Sequence, residues 1–183
     1  RLELRDIGIE PYLIYDPHLL TGMFCQRLLR GLCQHCRVPI KQAPMELGPD
    51  YLDLARRVRT GLALMDARRI KADPKQPPID RLVEPDMSQI YVANPDGCAK
   101  CYKGRSGRTV CAEVASADLK LMNLLESNKL VEAEEYWLSP WGLNGVTMAW
   151  HALEKIRRGE VSPNDAESEV GPMARERDVA EVE

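Results

Sequence analysis

At 183 residues the chain can bury one substantial core and at most one and a half domains. Its formal net charge of −3 provides no global basic field to favour nucleic acid or an anionic membrane surface. No apolar run approaches the ~20 residues of a membrane span, no secretory signal opens the chain, and neither G-x-x-x-x-G-K-[ST] nor G-x-G-x-x-G occurs, so a cytoplasmic location and no nucleic-acid partner are expected.

Residues 1–7 place Leu2, Leu4 and Ile7 on a charged background before Gly8, a helix tail running into a loop, which suggests a piece cut from a longer protein. Residues 11–24 cluster Tyr12, Leu13, Ile14, Tyr15, Leu19, Leu20, Met23 and Phe24. This predicts a buried helix that Pro17 kinks or restarts, with Asp16 as its cap and His18 facing solvent. Residues 26–32 fit strand and helix equally well by period. A turn follows at Cys33-Gln-His-Cys36, and Val38, Pro39 and Ile40 leave it extended.

Gly48-Pro-Asp50 announces a helix in which Tyr51, Leu54, Ala55, Val58 and Leu62 keep helical spacing. Arg56, Arg57, Arg59, Arg68, Arg69 and Lys71 make this region basic, which reads as a solvated helical face or as a dock for an acidic partner. The proline-rich residues 73–80 and the Glu84-Pro85 step form a returning linker. Ile90 to Ala93 is β-prone and leads into the turn Asn94-Pro-Asp-Gly97 and a second pair, Cys98-Ala-Lys-Cys101.

Lys103-Gly-Arg-Ser-Gly-Arg108 is expected as a flexible basic turn, with a strand over residues 109–114 after it. Ser116 is expected to cap a helix with Asp118 in its first turn and Leu121, Met122 and Leu125 on one face. Residues 129–138 predict another helix. Val146, Ala149, Trp150, Leu153 and Ile156 predict the most amphipathic one, stopped by Gly159, with His151 at its boundary. Ser162-Pro163 starts a short last helix, and from about Glu167 the sequence reads as a charged tail.

The two C-x-x-C pairs form the pattern C-x2-C-x61-C-x2-C. Each pair can grip one ion from a single turn, so together Cys33, Cys36, Cys98 and Cys101 supply the four sulfurs of a closed tetrahedral zinc site. Closing a ~60-residue loop costs on the order of 4 kcal/mol. A structural zinc contributes ~10–16 kcal/mol at neutral pH, so the ion can hold the excursion shut. Redox dithiols or disulfides are the competing reading, and His35 could replace a cysteine as a ligand. Cys25 and Cys111 look like small buried hydrophobes, which suits a reducing compartment.

Taken together these blocks resemble the C-terminal part of the hexameric ATPases that drive type II secretion and type IV pilus assembly. The resemblance rests on Arg5-Asp-Ile-Gly-Ile-Glu-Pro11, Cys25-Gln-Arg-Leu-Leu-Arg-Gly-Leu-Cys33-x-x-Cys36, Gly97-Cys-x-x-Cys101, Gly104-Arg-Ser-Gly-Arg-Thr109 and Glu113-Val. It closes with Thr147-Met-x-x-x-x-Leu153-x-Lys155-Ile and Gly159-x-Val161-Ser-Pro.

The resemblance implies an α/β fold: residues 1–32 ending a RecA-like core, 33–101 an inserted tetracysteine zinc module, 102–115 a returning core strand, 116–166 a C-terminal helical subdomain and 167–183 a flexible tail. It also implies a homo-hexamer, an inner-membrane platform protein as partner, and peripheral association with that membrane. The family's phosphate loop, acidic boxes and magnesium ligands would lie upstream of Arg1, so ATP and Mg²⁺ belong to the full-length parent, and no catalytic or cofactor-binding residue is assigned within these 183 residues. The long insertion, a short Cys101-to-Arg108 segment and Pro17 set the chain apart as a divergent pilus or plasmid-transfer relative. The competing readings are a stand-alone zinc-ribbon module binding nucleic acid or protein, and a thiol-redox protein.

Overall fold

A computed structural model describes residues 8, 11–71 and 84–174. In order, the elements are α1 (Pro11–Ile14), β1 (Gly22–Leu32), β2 (Val38–Pro39), α2 (Ala43–Glu46), α3 (Asp50–Lys71), β3 (Tyr91–Val92) and β4 (Arg105–Ser116), followed by α4 (Leu119–Glu126), α5 (Leu130–Leu138), α6 (Met148–Arg157) and α7 (Pro163–Val170). This is a mixed helix-and-strand fold. Two compact units share it: the described residues up to Cys25 with Ala112–Thr147, and Gln26–Cys111 with the residues from Met148 on.

The second unit is built on α3. Asp50 and Asp53 sit in the helix's first turn, where carboxylates favour the N-terminal dipole. From there the predicted stripe runs inward: Leu54, Val58 and Leu62, joined by Met65, are buried with Leu153 and Ile156 of α6 and with Ile40, Ile90 and Val92 around β2 and β3, while Tyr51 and Ala55 are partly buried. Burying each such side chain stabilises the fold by ~1.5–3 kcal/mol. β2 and β3 pair antiparallel, with Val38 opposite Val92 and Pro39 opposite Tyr91.

β1 and β4 are hydrogen-bonded neighbours. Gly22 lies against Ala115 and Ser116, and Gly31 against Ser106 and Gly107, so the strands run antiparallel. Within the second unit, Leu29 and Cys111 turn into the core. Gly31 also bridges to Val161 on the opposite edge of β1.

The first unit has its own core, in which Leu121, Met122 and Ala133 pack with Tyr15, Leu20, Met23 and Ala115. Asp118 caps α4 by accepting from the Leu121 N–H and also receives the Tyr136 hydroxyl proton, which holds the Tyr136 phenol above its ordinary pKa. Trp137 Nε1 donates to the Val114 carbonyl at 3.0 Å.

Several expectations are corrected. No helix covers residues 11–24: α1 stops at Ile14, and Phe24 is 75% exposed on β1. The Asp16 carboxylate accepts from the His18 N–H and its carbonyl from Leu19 and Leu20, so Asp16 caps a tight turn before pairing with β4 draws Gly22 onward into a strand. Cys25 is accordingly exposed, while Cys111 is buried as expected. β4 begins at Arg105, which removes the flexible turn expected up to Arg108, and Ser116 ends that strand instead of capping α4.

Val146 precedes α6, which starts at Met148. The two compact units meet in the sequence between Thr147 and Met148. Order persists past Glu167, since α7 runs to Val170 and Met173 and Ala174 are buried. The expected helix tail at residues 1–7 and the linker at 73–80 lie outside the described residues.

Candidate metal centre

β1 delivers the first cysteine pair. Leu32 ends the strand and the Cys33 N–H donates to the Gly104 carbonyl at 2.9 Å, after which the chain turns so that the Arg37 N–H reaches back to the Cys33 carbonyl at 3.2 Å. The second pair leaves β3 through an Asn94 turn, in which the Asn94 side chain accepts from the Asp96 N–H and its carbonyl from Gly97. Gly97 has φ +68°, and a Cβ there would lie 2.9 Å from the Lys103 nitrogen, so only glycine fits.

Beyond Cys101 the chain reverses on Lys103 and Gly104, both at positive φ (49° and 74°), while Tyr102 and Arg105 exchange backbone hydrogen bonds. This is the primed two-residue turn whose twist suits a hairpin.

These turns bring together Cys33, Cys36, Cys98 and Cys101, whose sulfurs all lie within 4.8 Å of one another. The Sγ–Sγ distances are 3.8 Å for Cys33–Cys98 and 3.6 Å for both Cys36–Cys101 and Cys98–Cys101. An ion at the centre of a tetrahedron with ~2.3 Å metal–sulfur bonds sets its sulfurs about 3.8 Å apart. A disulfide would need ~2.05 Å. The cluster could therefore hold a metal ion. The Cys98 N–H points at Cys101 Sγ from 3.2 Å, a donor that favours a thiolate.

The four thiols are unequal. Burial pushes the Cys36 thiol well up, and hydrogen bonds with Cys101, Cys98 and Cys33 add to it. At Cys98 the Lys100 backbone N–H favours the thiolate, yet burial and the Cys101 thiol hold it above its ordinary value. Burial acts the same way on Cys101, but hydrogen bonds from the Cys36 thiol and the Cys98 backbone outweigh it and bring that thiol down to about 7. Cys101 thus ionises before Cys36 and Cys98. His35 is exposed and stands outside the cluster.

Sequence reasoning found the cysteines and missed what surrounds them. Arg37 stacks 3.8 Å over the Tyr91 ring and donates to the Gly159 carbonyl at 2.8 Å, and Gln34 reaches the same carbonyl at 3.4 Å. Arg105 Nε donates to Asp165 Oδ2 at 2.8 Å and Nη2 to Oδ1 at 2.9 Å.

Arginines of the expected basic face are taken up within the chain. Arg57 pairs with Glu167 and Asp53, and Arg59 with Glu84. Among the described residues, no helix is long and apolar enough to cross a membrane.

Residues 2–175 match the family described as Type II/IV secretion system protein. The chain is also 31% identical over 163 residues to the Type II secretion system ATPase E of Vibrio cholerae serotype O1. That match takes in 85% of this chain and 26% of the relative, so the chain spans about a quarter of the relative's length.

Proposed function

Because the chain belongs to the type II/IV secretion system protein family, we propose that it is the C-terminal part of a hexameric traffic ATPase that powers type II secretion or pilus assembly. In this reading Cys33, Cys36, Cys98 and Cys101 carry a structural zinc. The observation that carries the zinc reading is the gathering of four sulfurs within 4.8 Å of one another, with the pairs that span turns 65 residues apart at 3.6 and 3.8 Å. Four protein thiolates fill the coordination sphere and leave no position for water, so the ion ties the fold together and performs no catalysis.

The two-stranded β1–β4 sheet is consistent with the lower part of a RecA-like domain, with residues 33–101 as the inserted module. ATP and Mg²⁺ act in the full-length parent, where the phosphate cradle lies. Neighbouring subunits of a homo-hexamer and an inner-membrane platform protein are the partners, and the location is cytoplasmic, peripheral to the inner membrane.

Phosphate release from ATP and Mg²⁺ tests the reading. The full-length parent should turn over nucleotide, whereas this chain alone should not, because phosphoryl transfer depends on positioning by the phosphate loop and metal. A full-length parent without turnover overturns the ATPase reading, and turnover by the isolated chain overturns the placement of the site.

A further inference from the structure

The residues flanking both cysteine pairs converge on one short connection, the link between α6 and α7. From the first pair, Arg37 and Gln34 donate to the Gly159 carbonyl. The strand leading to that pair gives the Leu32 N–H to the Glu160 carbonyl at 2.8 Å, and Gly31 bridges to Val161. From the approach to the second pair, the Ala93 N–H donates to Ser162 Oγ at 3.4 Å. Just after that pair, Arg105 grips Asp165.

Gly159 is shaped for this clasp. Its φ is +66°, and a Cβ would lie 2.7 Å from Arg37 Nη1 and 2.9 Å from both the Gln89 carbonyl and the Tyr91 ring. Within the link the Gly159 N–H bonds back to Ile156 and the Glu160 N–H to Lys155, Lys155 also pairs with the Glu160 carboxylate at 3.4 Å, Val161 is buried in the core, and Ser162 offers α7 no side-chain cap. The Ser162 hydroxyl faces Ala93 instead.

We propose that the metal centre works as a clasp on residues 159–165, so that loss of the ion releases the α6–α7 connection before it unfolds the unit's core. The inference rests on the zinc reading above. The ion would lock the two turns in the relative position at which Arg37, Ala93 and Arg105 present their donors to one link from three directions. Without the ion the two cysteine turns are joined by the β2–β3 and β1–β4 pairings, the Arg37–Tyr91 stack and the Cys33–Gly104 bond. The α3 core, which buries Leu54, Val58, Leu62 and Met65, does not include the thiol cluster.

Hydrogen exchange resolved by residue tests this on the zinc-loaded chain and on the same chain stripped with a chelator, with zinc content measured in each sample. Exchange at residues 159–165 should quicken at least tenfold on stripping. Amides of α3 and of α4 should change by less than threefold. The double variant Gln34→Ala, Arg37→Ala should keep about one zinc per chain and still quicken exchange at 159–162, and unchanged exchange there would overturn the clasp.

Unchanged exchange at 159–165 after stripping overturns the clasp and leaves the zinc reading standing. Equal acceleration at 159–165 and throughout α3 also overturns it, since the ion would then support the whole unit. A chain that never binds zinc removes the clasp together with the zinc reading.

Discussion

A Cβ placed on Gly61, in the middle of α3, would lie 2.7 Å from the carbonyl oxygen of Met173, so the chain beyond α7 runs directly over the bare helix backbone. Glycine inside a helix costs ~1 kcal/mol relative to alanine, and here it makes room for that crossing. Gly61→Ala should therefore destabilise the chain by about 1–2 kcal/mol net, because backbone sits in the way and cannot rotate aside as a side chain could. A urea midpoint that falls with unchanged m-value checks this, and a rise of ~1 kcal/mol, the helix-propensity gain, would refute it.

Asp165 is buried and faces the Arg105 guanidinium at 2.8 Å, and that hydrogen bond raises the Arg105 pKa further above its ordinary value. Asp165→Ala leaves the guanidinium without its carboxylate and should cost about 2–3 kcal/mol in chemical denaturation. Arg56 and Asp53, both 60% exposed at 3.8 Å, offer the contrast. Arg56→Ala should shift stability by less than ~0.5 kcal/mol, as exposed pairs usually do.

Cys36→Ser removes one of four sulfurs from the cluster. Zinc content should fall from about one per chain to well below half at equal free zinc, and the thermal midpoint should drop towards that of the chelator-treated wild type. Cys25→Ser changes an exposed thiol away from the cluster and should leave zinc content unaltered. Equal zinc content in the two variants would contradict the assignment.

Zinc binding should depend steeply on pH, and the sign follows from the thiols. Only thiolates ligate. Cys101 is brought down to about 7 while Cys36 and Cys98 are held above their ordinary value, so near pH 7 most of the set is still protonated. Binding at pH 7 should release more than two protons per ion, read as buffer-dependent heat or by a pH indicator. Affinity should fall as pH drops below 7 and rise above it. Affinity independent of pH between 6 and 8 would contradict a thiolate site.

The helices and the cysteine turns were legible where the pattern is local and regular. The α3 stripe and the C-x-x-C pairs show directly in residue spacing, and the structure buries that stripe and gathers those thiols. Residues 11–24 misled because their apolar clustering fits a helix, while the decisive facts are an Asp16 turn and a partner strand 90 residues on. α2 is a four-residue helix holding Pro44, and a single turn has no period to detect. The grip of Arg37 on Gly159 joins positions 122 residues apart, and no spacing rule carries that information. The order around and beyond Glu167 was hidden by the charges there, of which Asp165 is taken up by Arg105 and Glu167 by Arg57.

Metal analysis with X-ray absorption on freshly purified, untagged chain tests the central claim most directly. The account predicts about one zinc per chain, bound by four sulfurs at ~2.3 Å with no nitrogen or oxygen in the first shell. A chain free of transition metal, or a Cys98–Cys101 disulfide in the native protein, would contradict it.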